Sequence, residues 1–107
     1  MLILLDQATP VPIRKFLRGH AVHTAAQRGW DTLKNGDLLK AAEDAGFEVL
    51  VTPDKNIYYQ QNLAIRKIAL VVLGNAQWPV LRRHVDRVVA AVNAAGPGTY
   101  VVVEIPA

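Results

Sequence analysis

The sequence predicts an α/β domain with a mostly parallel sheet, and three observations carry that prediction. Wholly apolar runs recur, at Leu2-Ile3-Leu4-Leu5, at Val49-Leu50-Val51 and from Ile68 to Leu73. Short runs without polar alternation read as strands buried on both faces, which is the pattern of a parallel sheet. Segments of helical periodicity stand between these runs, so strands and helices alternate along the chain. Finally, 107 residues suffice for one core and not two, so residues 1–107 read as a single domain.

The elements follow in order. The first strand, Leu2 to Leu5, ends on Asp6. Thr9-Pro10 reads as a helix N-cap followed by proline at the first helical position. That helix carries Val11, Ile13, Phe16 and Leu17 on its apolar side, reaches Leu17 or Arg18, and is stopped by Gly19. His20 to Thr24 is a short strand, Ala25 to Gly29 one helical turn closed by glycine, and Trp30 to Gly36 a loop. Asp37 to Ala45 is an amphipathic helix with Leu38, Leu39, Ala42 and Ala45 on one stripe and Gly46 closing it. Phe47 to Thr52 is a central strand, Lys55 to Leu63 a short helix, and Ile68 to Leu73 another buried strand. The last helix, Trp78 to Ala94, starts with Pro79 near N1 and buries Val80, Leu81, Val85, Val88, Val89 and Val92. Gly96-Pro97-Gly98 is a turn, and Thr99 to Ile105 closes the sheet as an edge strand. At least one of Trp30 and Trp78 is expected to pack on the core.

Composition narrows the function classes. An apolar content of 51% excludes a disordered chain. No apolar run approaches the ~20 residues of a membrane span. Met1 to Leu5 is too short for a secretory segment, lacks a basic flank and meets an acid at once, so a cytoplasmic protein with no membrane partner is expected. Without cysteine there is neither a disulfide framework nor a thiolate site. The net charge of +3 and pI near 9.5 are a mild basic excess, compatible with a polyanionic partner.

The most informative residues are two acids. Asp6 follows the first strand, and Asp54 follows Val49-Leu50-Val51-Thr52-Pro53. In an open parallel sheet, ligands gather outside the carboxyl ends of the strands. Two carboxylates delivered there can share a hard divalent cation such as Mg²⁺. Each neighbour also has an ordinary reading. Asp54 precedes a helix and is placed to cap it. Asp37 lies in a first helical turn, where the dipole favours an acid. Asn35 is a natural N-cap, and Asn56 an ordinary polar surface residue. Asp6 lacks such an account, because Thr9 is the better cap for the next helix. Lys34 and Lys55 border the proposed cleft, where they would steer phosphates. Tyr58 and Tyr59, among amides, suit stacking on bases or burial against the sheet. His20 and His23 are three apart on a strand, face opposite sides, and cannot easily share a metal.

Taken together, four segments carry a resemblance: Leu4-Leu5-Asp6, the His20 to Thr24 step, Asn35-Gly36-Asp37-Leu38-Leu39, and Val51-Thr52-Pro53-Asp54-Lys55-Asn56. In this order the chain resembles the small PIN-like proteins of the DUF5615 group. These are related to the Mut7-C and VapC-type PIN domains and are predicted toxin nucleases of toxin–antitoxin systems. The resemblance implies a three-layer α/β/α sandwich and a metal-dependent ribonuclease that hydrolyses RNA phosphodiester bonds with Mg²⁺ or Mn²⁺. It also implies a cognate antitoxin and a homodimer as partners. The group's first-strand acid falls on Asp6 and its Thr-x-Asp acid on Asp54, the two implied metal ligands. Asp37 would be an auxiliary acid, with Asn35 and Asn56 as polar members of the same site. Gln7, Asn35 and Asn56 stand where the group carries carboxylates. The chain therefore reads as a ribonuclease with a reduced acidic site, or as a module that binds RNA or a protein partner without cutting.

Overall fold

Alternation of side chains across each strand sorts the apolar runs into two cores, and that sorting defines the architecture. The computed structural model describes residues 1–33, 35–57 and 67–107, with Asn35 described by its backbone alone. Its strands are β1 (Leu2–Leu5), β2 (Ala21–Thr24), β3 (Val49–Thr52), β4 (Ala69–Leu73) and β5 (Tyr100–Val103). They form one sheet in the order β2-β1-β3-β4-β5, with every pairing parallel. Ile3, Leu5, Val49, Val51, Ala69, Val71 and Leu73 share one core; Leu4, Leu50, Leu70 and Val72 share the other. Every residue of β3 and β4 is buried, which explains why these strands show no polar alternation in the sequence. As expected, β5 is an edge strand.

The helical layers cover the two faces. One face takes Ile13 from a 3-10 helix (Val11–Phe16), Leu17 just after it, and Leu81, Val88 and Val92 from the last helical segment. The other takes Leu38, Leu39 and Ala42 from α1 (Asn35–Asp44). This is the expected three-layer α/β/α sandwich. Both tryptophans pack on it, Trp78 against the first core and Trp30 against the second. No helix among the described residues is long and apolar enough to cross a membrane.

Three local expectations need correction. The segment after β1 is a 3-10 helix, and Pro10, not Thr9, is its N-cap. It closes with bonds between residues three apart, Ile13 N–H to Pro10 O and Leu17 N–H to Arg14 O. Helix α1 begins at Asn35, inside the expected loop, so Asn35 opens the helix as its first residue. The last helix is not continuous: α2 (Trp78–Leu81) tightens into a 3-10 turn (Arg82–His84) before α3 (Val85–Ala94). No proline or glycine between Val80 and Val89 marks that break. Gly46 does what its position predicts. At φ 88° it ends α1, with Phe47 N–H bonded to Ala42 O and Gly46 N–H to Glu43 O.

Gly74, just past β4, has a different role. A Cβ there would stand 2.8 Å from the Val103 carbonyl oxygen and 3.3 Å from the Ile105 nitrogen. The same glycine donates its N–H to Val103 O at 2.9 Å, so the close approach is a rung of the ladder. Gly74→Ala is expected to pry β5 from β4 and lower stability by about 1–3 kcal/mol. A urea-unfolding midpoint equal to the parent's would contradict this.

Candidate functional site

The strand order turns back on itself between β1 and β3: the chain leaves β1 for β2 on one side and returns to β3 on the other. Such a switch point leaves a crevice at the carboxyl ends of the two strands. Asp6 is the residue after β1. Its N–H continues the ladder by donating to Val51 O at 3.0 Å. Because Leu5 pairs with Val51, the next step sets Asp6 beside Thr52, and both lie on the face of Leu4 and Leu50.

A chain of hydrogen bonds holds the acids. Thr52 is fully buried and donates its hydroxyl to Asp6 Oδ2 at 2.5 Å. The Thr52 hydroxyl oxygen in turn accepts the Asp54 N–H at 3.1 Å. Ala8 N–H donates to Asp6 Oδ1 at 2.6 Å, and Asn56 N–H donates to Asp54 Oδ1 at 3.0 Å. Each aspartate therefore organises a turn in its own loop, and one buried hydroxyl ties the two loops together. Thr9, also buried, donates its hydroxyl to Val51 O at 2.9 Å. That bond pins the loop after β1 onto β3, which is why Thr9 does not cap the following helix.

Asp6 and Asp54 line a common cleft of about 150 Å³. Gln7 stands beside them, and the remaining wall is apolar, from Ala25, Trp30, Leu33, Leu38 and Ile57. Thus one carboxylate oxygen of Asp54 caps the turn at residues 54–57 while its residue also borders the cleft. The capping and site readings of Asp54 coexist.

The other sequence candidates distribute unevenly. Asp37 is exposed in the first turn of α1. Among the described residues, no three histidine, aspartate and glutamate side chains form a group that could hold one metal ion, and the residues that line the Asp6–Asp54 cleft include Leu38 and not Asp37. Asn56 takes part through its backbone N–H. Lys55 is exposed and lines a separate depression with Gly74, Val102 and Glu104, on the β4–β5 side. Lys34, Tyr58 and Tyr59 lie outside the described residues, as does the side chain of Asn35. His20 and His23 do face opposite ways. His20 Nδ1 is 3.0 Å from the Met1 ammonium and its Nε2 is 2.8 Å from Asn93 Oδ1, whereas His23 meets the Phe47 ring edge-on.

Thr52 stands in the Thr-x-Asp motif that places Asp54, but nothing in that motif says that its hydroxyl reaches Asp6. Trp30 packs on the core, as at least one of the two tryptophans was expected to; Arg28 was not singled out, yet its guanidinium carbon lies 4.9 Å from the centre of the Trp30 ring.

A larger depression, about 300 Å³, opens at the opposite end of the sheet between Phe47, Glu48, Lys67 and Gly96. Its carboxylates serve the backbone there. Glu48 Oε1 accepts the Leu2 N–H at 3.1 Å, and Glu43 Oε2 the Lys67 N–H at 2.7 Å. They cap strand starts, and the crevice at the carboxyl ends remains the better chemical candidate.

Thr52→Val is expected to leave the Asp54 N–H without its acceptor and Asp6 without its donor. The stability cost is about 1–3 kcal/mol. Thr52→Ser, which keeps the hydroxyl, is expected to recover most of it in the same thermal-unfolding measurement. Equal losses for the two variants would assign the effect to packing.

Comparison of the chain with protein-family models, with curated proteins and with solved structures gave no match.

Proposed function

We propose that this chain is a metal-dependent ribonuclease of PIN-like type with a reduced acidic site. The observation that carries the reading is the pairing of Asp6 and Asp54 at the β1–β3 switch point, joined through Thr52 on one cleft. The donor set suits a hard cation. Both side chains offer carboxylate oxygens: Asp6 accepts one hydrogen bond on each of its two and Asp54 accepts one on Oδ1, and a carboxylate oxygen is able to accept more than one. Mg²⁺ keeps several waters and needs only one or two protein carboxylates. Such an ion supplies an activated water and neutralises charge on the phosphate. Asp6 and Asp54 would hold it, and Thr52 keeps the two loops in register. The role of toxin, with a cognate antitoxin and a second copy as partners, belongs to the same proposal and comes from the resemblance.

A second reading has its own support. With Asp37 absent from the cleft lining, and amides at Gln7 and Asn56, the site carries two acids among the described residues. A module that binds RNA or a protein partner without cutting fits that reduced set.

The test is cleavage of a mixed RNA pool by the purified chain with Mg²⁺ or Mn²⁺, against the same reaction in EDTA. The ribonuclease reading requires metal-dependent products. Intact RNA in both reactions, together with RNA binding that falls steeply as salt rises, would replace it with the binding module.

A further inference from the structure

We infer that the apolar wall of the Asp6–Asp54 cleft is a subsite for one unpaired nucleobase, presented by Trp30. The inference rests on the ribonuclease reading for its ligand class, and on separate observations for its place. A hydrated divalent ion needs oxygen donors and room for water, yet most of the cleft wall is apolar, with Trp30, Leu38 and Ile57 facing it. Such a wall leaves water poorly held and favours a flat, weakly hydrated ring.

The cleft is small. About 150 Å³ falls below the roughly 300–1,000 Å³ of pockets that take drug-sized ligands, a scale that suits a single ring system.

Trp30 is set in advance. Its backbone N–H donates to Ala25 O at 2.8 Å, and its ring meets Phe47 edge-on at 5.8 Å and 72°. The Arg28 guanidinium lies 4.9 Å from the same ring and 5.5 Å from Phe47. A ring held on several sides loses little freedom when a base stacks on it. Gln7, exposed at the acid side of the cleft, offers an amide that both donates and accepts toward a base edge. Arg28, exposed and anchored on the indole, puts a cation near the backbone of the bound strand. An unpaired base in this cleft brings its own phosphate toward Asp6 and Asp54, so the subsite selects single-stranded over duplex RNA.

The chain has two tryptophans, so Trp78→Phe makes Trp30 the sole indole. In that background, with EDTA present, titration with adenosine or uridine 5′-monophosphate is expected to quench Trp30 emission saturably. Ribose 5-phosphate, which lacks the base, is expected to leave it unchanged. Trp30→Leu is expected to weaken binding of a fluorescein-labelled single-stranded RNA about tenfold. Trp30→Phe is expected to retain most of the affinity, with circular dichroism confirming the fold of each variant. The Asp6→Asn/Asp54→Asn double variant is expected to keep the saturable quenching and to bind the monophosphates more tightly than the parent in EDTA, because two like charges beside the phosphate are removed. Quenching that persists when no RNA is cleaved supports the subsite while removing the nuclease. RNA cleavage by a chain whose Trp30 emission no monophosphate moves overturns the subsite and leaves the nuclease standing. Equal quenching by ribose 5-phosphate, or by tetramethylammonium in place of the nucleotides, also overturns it.

Discussion

Asp6→Asn is expected to reduce Mg²⁺- or Mn²⁺-dependent RNA cleavage by more than about a hundredfold. Loss of an outer partner of a metal ligand already costs about 10–100-fold, and loss of the ligand itself exceeds that. Asp54→Asn is expected to act similarly, and the pair separates charge from architecture. An asparagine at residue 54 still accepts the Asn56 N–H through its amide oxygen, so the turn at residues 54–57 keeps its cap. At residue 6 an asparagine still accepts the Ala8 N–H, while Thr52 loses its charged acceptor. Cleavage rates at fixed metal, alongside thermal unfolding, check the prediction. If Asp54→Asn cleaves at the parent's rate, Asp54 is a cap and not a metal ligand.

Leu50→Ala is the second large effect, expected on stability. Leu50 is fully buried at the centre of β3, in the core shared by Leu4, Leu70 and α1. Removing its side chain there costs about 2–5 kcal/mol, through lost transfer energy and an unfilled cavity. A domain of this size has about 5–15 kcal/mol in total, so the variant sits near its folding limit. Val101→Ala, at a residue 38% exposed on the edge strand, is the contrast and is expected to change stability by less than about 1 kcal/mol. Equal urea midpoints for the two variants would mean the core assignment is wrong.

The strands were legible because burial on both faces leaves a plain signature, and Val49 to Thr52 and Ala69 to Leu73 carry it without interruption. Helix ends were less so, because competition for a few backbone groups decides them. Thr9 looks like a cap in isolation, but its hydroxyl finds the Val51 carbonyl, 42 residues away in sequence. The register slip at Arg82 to His84 likewise has no local cue. At the site, the two strand-end aspartates announce themselves. Their connection does not, since nothing local says that Thr52 turns its hydroxyl to Asp6. Arg28 and Trp30 escaped as a pair because the value of each lies in what the other does, and a two-residue spacing in a turn carries no periodicity to read. Lys55 misled in the opposite sense: adjacency in sequence to Asp54 did not bring it to the same cleft.

The bond from Asp6 N–H to Val51 O has a consequence for the life of the chain as it folds and unfolds. The backbone that carries the first acid is itself a rung between two interior strands, and its side chain is tied to a threonine 46 residues onward. Neither link forms from a local segment, and neither opens by fraying at an edge. A nascent chain or a fragment ending before β3 holds one acid without its companion. In the native ensemble, a fluctuation that parts β1 from β3 separates the pair, and it opens the sheet between two interior strands. Competence at this site is thus a property of the closed sheet as a whole, gained and lost in a single cooperative step.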